Sequence, residues 1–121
     1  MSNVKEALNQ MLQLDGAIGA CIADSNSGMM LGAEGGGGYI NLEVAAAGNT
    51  EVVRAKRKTM SALKLEDTIE DILITLGKQY HLIRPLARNE GLFIYLVLDK
   101  SRGNLAMARH RLAGIERELV V

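Results

Sequence analysis

Two hydrophobic periods divide this chain into elements. Val4, Ala7, Leu8, Met11 and Leu12 recur at helical spacing behind Asn3, and Glu6 completes a capping-box pattern, which predicts a short helix ending near Leu14. Asp15-Gly16 breaks it. Residues 17–23 then read as a strand of small side chains, Asp24-Ser-Asn-Ser-Gly28 as a turn, and residues 29–33 as the antiparallel partner of a hairpin. After the glycines at 35–38, a proline-free stretch over 40–63 predicts a long central helix. Residues 72–76, 79–87 and 92–98, separated by Gly77-Lys78 and Asn89-Glu90-Gly91, predict a three-stranded meander. Pro85, with no backbone N–H, marks a bulge or a non-donating position near the end of its middle strand. Asn104 caps a last helix whose apolar stripe is Leu105, Ala108, Leu112, Ile115 and Leu119.

The run Leu92, Phe93, Ile94, Tyr95, Leu96, Val97, Leu98 is apolar at every position, so both faces of that strand must be covered. An antiparallel sheet wrapped by helices follows. On the central helix, at about 100° per residue, Leu42, Ala46, Val53, Met60 and Leu63 share one face and Val44, Gly48, Ala55 and Ala62 lie roughly opposite. The first stripe is expected to cover the sheet. The second, made of small residues, either allows a second helix to approach as a dimer seam or reflects only the high helix propensity of alanine.

A length of 121 residues fits one domain over 1–121 that buries roughly two thirds of its unfolded surface. Fourteen basic and fourteen acidic residues cancel, and only Tyr39, Tyr80, Tyr95 and Phe93 are aromatic, so no general nucleic-acid footprint is present. The core must then be built from aliphatic residues and six methionines, which pack adaptably and specify shape weakly; oligomerisation would add stability. The single Cys21 excludes an internal disulfide and sits in an apolar run that predicts a buried, inert thiol. The first residues lack a charged region followed by an apolar one, and no apolar run approaches the ~20 residues that span a bilayer. A cytoplasmic protein without membrane insertion is expected.

The segment Leu31-Gly-Ala-Glu-Gly-Gly-Gly-Gly38 before a helix has the look of a phosphate cradle, but no Lys-Ser or Lys-Thr follows it, and a flexible connector is expected. Neither His81 nor His110 stands beside a matching nucleophile or ligand motif. Glu66, Asp67, Glu70 and Asp71 lack the spacing and glycine of a calcium loop and predict a solvated connection. No catalytic, metal or cofactor residue is therefore assigned, and an interaction module is expected in place of an enzyme. Arg54, Lys56, Arg57 and Lys58 crowd little more than one helical turn with only Glu51 at compensating spacing. They form either an ordinary solvated face or, through Arg54, Arg57 and Lys58, a surface for an acidic protein partner.

Three segments, Leu14-Asp-Gly-Ala-Ile-Gly-Ala-Cys-Ile-Ala-Asp-Ser-Asn-Ser-Gly28, Tyr80-His-Leu-Ile-Arg-Pro-Leu86 and Asn104-Leu-Ala-Met-Ala-Arg109, resemble the Roadblock/dynein light chain family, as does the order of elements along nearly the whole chain. The resemblance implies an α+β fold of order αββαβββα: a five-stranded antiparallel sheet with the long helix on one face and the two terminal helices on the other. It also implies dimers that join sheets edge to edge and pair their long helices, here through Val44, Gly48, Ala55 and Ala62. Prokaryotic members include regulators of Ras-like small GTPases, among them activators of the gliding-motility type, and eukaryotic members serve dynein or nutrient-signalling scaffolds. The expected function is a homodimeric regulator of a Ras-like small GTPase. A nucleotide-independent scaffold subunit and a small-ligand sensor are the alternatives.

Overall fold

The apolar run at 92–98 lies at the centre of the sheet, as its composition requires. The computed structural model describes all residues from Met1 to Val121. Its elements are α1 (Val4–Leu12), β1 (Ala17–Asp24), β2 (Met30–Gly35), α2 (Leu42–Ala62), β3 (Ile72–Thr75), β4 (Gln79–Pro85), β5 (Leu92–Asp99) and α3 (Leu105–Glu118). All strand pairs are antiparallel, in the spatial order β2-β1-β5-β4-β3, so β2 and β3 form the two edges. Alternate residues of β5 serve two separate cores. Leu92, Ile94, Leu96 and Leu98 pack with Leu8 and Met11 of α1 and Leu112 of α3, whereas Phe93, Tyr95 and Val97 share a cluster with Cys21, Ala46 and Val53 on the α2 side. The layer arrangement is the one that the resemblance implies.

Local chemistry sets the ends of the elements. The Asn3 carboxamide accepts from the Glu6 N–H at 2.9 Å while the Asn3 N–H donates to the Glu6 carboxylate at 3.3 Å, which completes the capping box. Helix α1 stops at Leu12, two residues earlier than its spacing predicts, although Leu14 is still buried. Gly16 turns the chain at φ 78°, and a Cβ there would lie 2.6 Å from the Gly103 nitrogen, so both conformation and space demand glycine. Pro85 closes β4 opposite Phe93 with no register shift in that pair, and its missing donor is tolerated without a bulge.

Two predicted helix positions differ. Leu42, Ala46 and Val53 are buried and Met60 is half-buried, but Leu63 is 62% exposed. It is the C-cap residue, and Lys64 follows in the left-handed region at φ 58°, so helical periodicity no longer sets where Leu63 points. Leu119 is buried as expected yet extended and beyond α3. There Ser2 donates to the Glu118 carbonyl at 2.6 Å and accepts from the Val120 N–H at 2.7 Å, a short parallel bridge between distant segments.

Candidate functional site

The outward side of α2 and the β3 edge of the sheet carry the features that packing leaves unused. Asn41 caps α2 by accepting from the Val44 N–H at 3.2 Å, and beyond it Val44, Gly48, Ala55 and Ala62 are all exposed. A Cβ on Gly48 would meet nothing within 4 Å. The predicted stripe is thus open along the whole helix. Thr50, which the apolar pattern passes over, is buried on the opposite face because its hydroxyl donates to the Ala46 carbonyl at 2.8 Å.

The predicted basic residues differ in how far they are engaged. Arg54 and Lys58 point to solvent, and Arg54 approaches Glu51 at 3.8 Å in a pair too exposed to neutralise much charge. Arg57 is half-buried and its Nη2 donates to the Glu90 carbonyl at 2.7 Å, which ties α2 to the turn between β4 and β5. At i, i+3 and i+4 of one helix the three remain neighbours, and what sets Arg57 apart is its hydrogen bond to the Glu90 carbonyl.

The two sheet edges are unlike. In the β1–β2 pair the register shifts between Ile22 and Ala23, and α1 presses so closely on β2 that a Cβ at Gly32 would lie 2.8 Å from Val4 Cγ1. Strand β3, of sequence Ile-Leu-Ile-Thr, has no bulge, charge or proline. Because the Leu76 N–H donates to the Gln79 carbonyl at 2.9 Å, ladder alternation turns the backbone N–H and C=O of Leu73 and Thr75 away from β4. An unprotected edge therefore ends the sheet on the side away from β1 and β2, over which α2 packs.

Beside that edge His81 accepts from the Tyr95 hydroxyl at Nδ1 (3.0 Å) and donates from Nε2 to the Gln79 carboxamide (2.8 Å), an arrangement that places the ring proton on Nε2. Burial lowers the pKa of His81 below its ordinary 6.5. Burial also pushes Tyr95 up to about 12, with the Asn49 side chain acting in the opposite, lowering direction. The Cys21 thiol, buried as predicted, is likewise pushed up to about 12 and so stays unreactive.

Two long-range ion pairs escaped sequence reasoning. Arg84 and Glu116 pair with side chains 19% and 10% exposed, and the second Glu116 oxygen accepts from the Ala87 N–H at 2.8 Å. Arg109 grips both oxygens of Asp71 at 3.0 Å, so Asp71 leaves the predicted solvated quartet and fastens the start of β3 to α3. Their sequence separations of 32 and 38 leave no local signal. No three His, Cys, Asp or Glu side chains gather as a metal group, and no helix is long and apolar enough to cross a membrane.

No protein-family model and no curated protein matches the sequence. Solved structures do match the fold. MglB of Myxococcus xanthus superposes with a TM-score of 0.83 at 14% identity, covering 95% of this chain and 83% of that one. A Roadblock/LC7 domain from Streptomyces avermitilis gives 0.79 at 10% identity, with 96% and 93% covered. The gliding protein MglB of Thermus thermophilus gives 0.70 at 19% identity, with 95% and 89% covered. The chain has the Roadblock/LC7 fold.

Proposed function

We propose that this Roadblock/LC7-fold chain is a homodimeric, non-enzymatic interaction module that binds and regulates a Ras-like small GTPase in the cytoplasm. The observation that carries the reading is the pairing of two unused surfaces, the bare small-residue stripe of α2 and the unprotected β3 edge, on a fold shared with MglB. Joining two β3 edges satisfies the outward donors and acceptors of Leu73 and Thr75, and crossing two α2 helices at Gly48 and Ala55 covers the stripe. A neighbour described as MglB with a tetrameric arrangement, and another named MglC, support self-association and protein partnership as the mode of action.

The acidic partner surface is met by Arg54 and Lys58, with Arg57 at the margin because it already holds the Glu90 carbonyl. With no residue of this chain assigned to a phosphate, regulation acts by ordering the switch loops of the GTPase, whose geometry sets hydrolysis. Affinity capture from native extract with GDP or a non-hydrolysable GTP analogue tests this. Enrichment of a small GTPase in the GTP-analogue arm alone is the expected result. The same partners under both nucleotides would replace the regulator by a scaffold, and a ligand that raises the melting temperature with no protein captured would replace it by a sensor.

A further inference from the structure

The last turns of α2, the connector at 63–71, the end of β4 and the turn into β5 enclose a groove of about 380 Å3, within the size range of ligand clefts. Its apolar lining includes Met60, Leu65, Ile69 and Leu86, of which Leu65 is 54% exposed. Its rim carries Asp67, Glu70 and Glu90, and none of these carboxylates takes part in an ion pair. Two arginines also line the groove, but both are engaged: Arg57 with the Glu90 carbonyl and Arg84 with Glu116. The part-buried Arg84–Glu116 pair and the Glu116–Ala87 hydrogen bond keep that wall in place without a ligand.

With Glu116 and Arg84 neutralising each other, Asp67, Glu70 and Glu90 outnumber the Arg57 guanidinium, which a neutral carbonyl does not discharge; the net negative groove disfavours an anion, and an uncharged apolar segment would leave the rim unmatched. We propose that this groove docks a short segment of a partner protein in which lysine or arginine alternates with apolar side chains, the latter resting on Leu65 and Ile69 and the former facing Asp67, Glu70 and Glu90. A second copy fits less well, because the basic run Arg54-Ala-Lys-Arg-Lys58 carries nothing larger than alanine to fill the apolar floor. The groove uses neither the α2 stripe nor the β3 edge, and it shares with the surface offered to the GTPase only Arg57, which the Glu90 carbonyl already holds.

The test is an amide chemical-shift titration of the ¹⁵N-labelled chain with a capped Leu-Arg-Leu-Arg-Leu peptide, beside Leu-Glu-Leu-Glu-Leu and Gly-Arg-Gly-Arg-Gly controls. Saturable shifts at residues 65–70 and 85–90 with the first peptide alone are expected. A variant combining Asp67→Asn, Glu70→Gln and Glu90→Gln, all at exposed positions, should weaken that binding about tenfold. Equal response to the glycine control, shifts confined to α2, no response to any peptide, or unchanged affinity in the variant would overturn the proposal. Concentration-dependent shifts at the same residues in the free chain would assign the groove to a second copy and overturn it too.

Discussion

Glu116 joins three parts of the molecule through one side chain: α3, the Arg84 guanidinium of β4 and the backbone of Ala87. Removing it leaves a part-buried cation unpaired, so Glu116→Ala should cost about 2 kcal/mol in urea unfolding, whereas Arg84→Met together with Glu116→Leu should recover most of the loss. His81 makes stability pH-dependent with a definite sign. Its folded pKa lies below the unfolded 6.5, so the unfolded chain takes up the proton first. This contribution is complete above pH 6.5 and is lost as pH falls from there toward the folded value. Urea midpoints at pH 7.5 and 5.5 should differ less in His81→Gln than in the parent chain. At this scale the sequence was legible where the signal was local, as for Asn3 with Glu6 or the apolar run holding Cys21. It was silent where a partner lies dozens of residues away, as for Arg84, Arg109 and the Arg57–Glu90 contact.

Among the elements, α2 permits two opposed substitutions. Glycine inside a helix costs about 1 kcal/mol relative to alanine, and nothing lies near a Cβ at position 48, so Gly48→Ala should raise the stability of the isolated chain by about that amount in thermal or urea unfolding. Ala55→Glu places a charge in the proposed seam and should halve the mass seen by light scattering; an unchanged dimer mass would remove the stripe from the interface. Thr75→Pro deletes an outward N–H without touching a ladder bond, so it should abolish edge pairing, by the same mass measurement, while leaving the far-ultraviolet circular dichroism intact. Element identity and order followed from periodicity, turn glycines and caps. The ends did not: Leu63 continues the arithmetic of the α2 stripe after the helix has stopped, and Leu119 stays buried because Ser2 and Val120 bond to each other, which no helical period encodes.

On the whole molecule, a neutral net charge conceals separated signs, with Arg54 and Lys58 on one side of α2 and the acidic groove past its end. Reversing Arg54 and Lys58 to glutamate should weaken capture of an acidic partner while circular dichroism and dimer mass stay unchanged; loss of folding would show instead that these residues are structural. The three-layer architecture was legible because seven consecutive apolar residues admit only a strand covered on both faces, but the pairing order β2-β1-β5-β4-β3 was written in no local signal and is seen only in the structure. That order has a consequence in time. The sheet's centre, β5, is the last strand to be synthesised, and it must join β1, whose paired residues lie more than seventy positions earlier in places and nearly seventy at the least. Until residue 99 has emerged, any hairpin formed by β1 with β2 or by β3 with β4 exposes an inward edge, and only the late strand can close the gap between them.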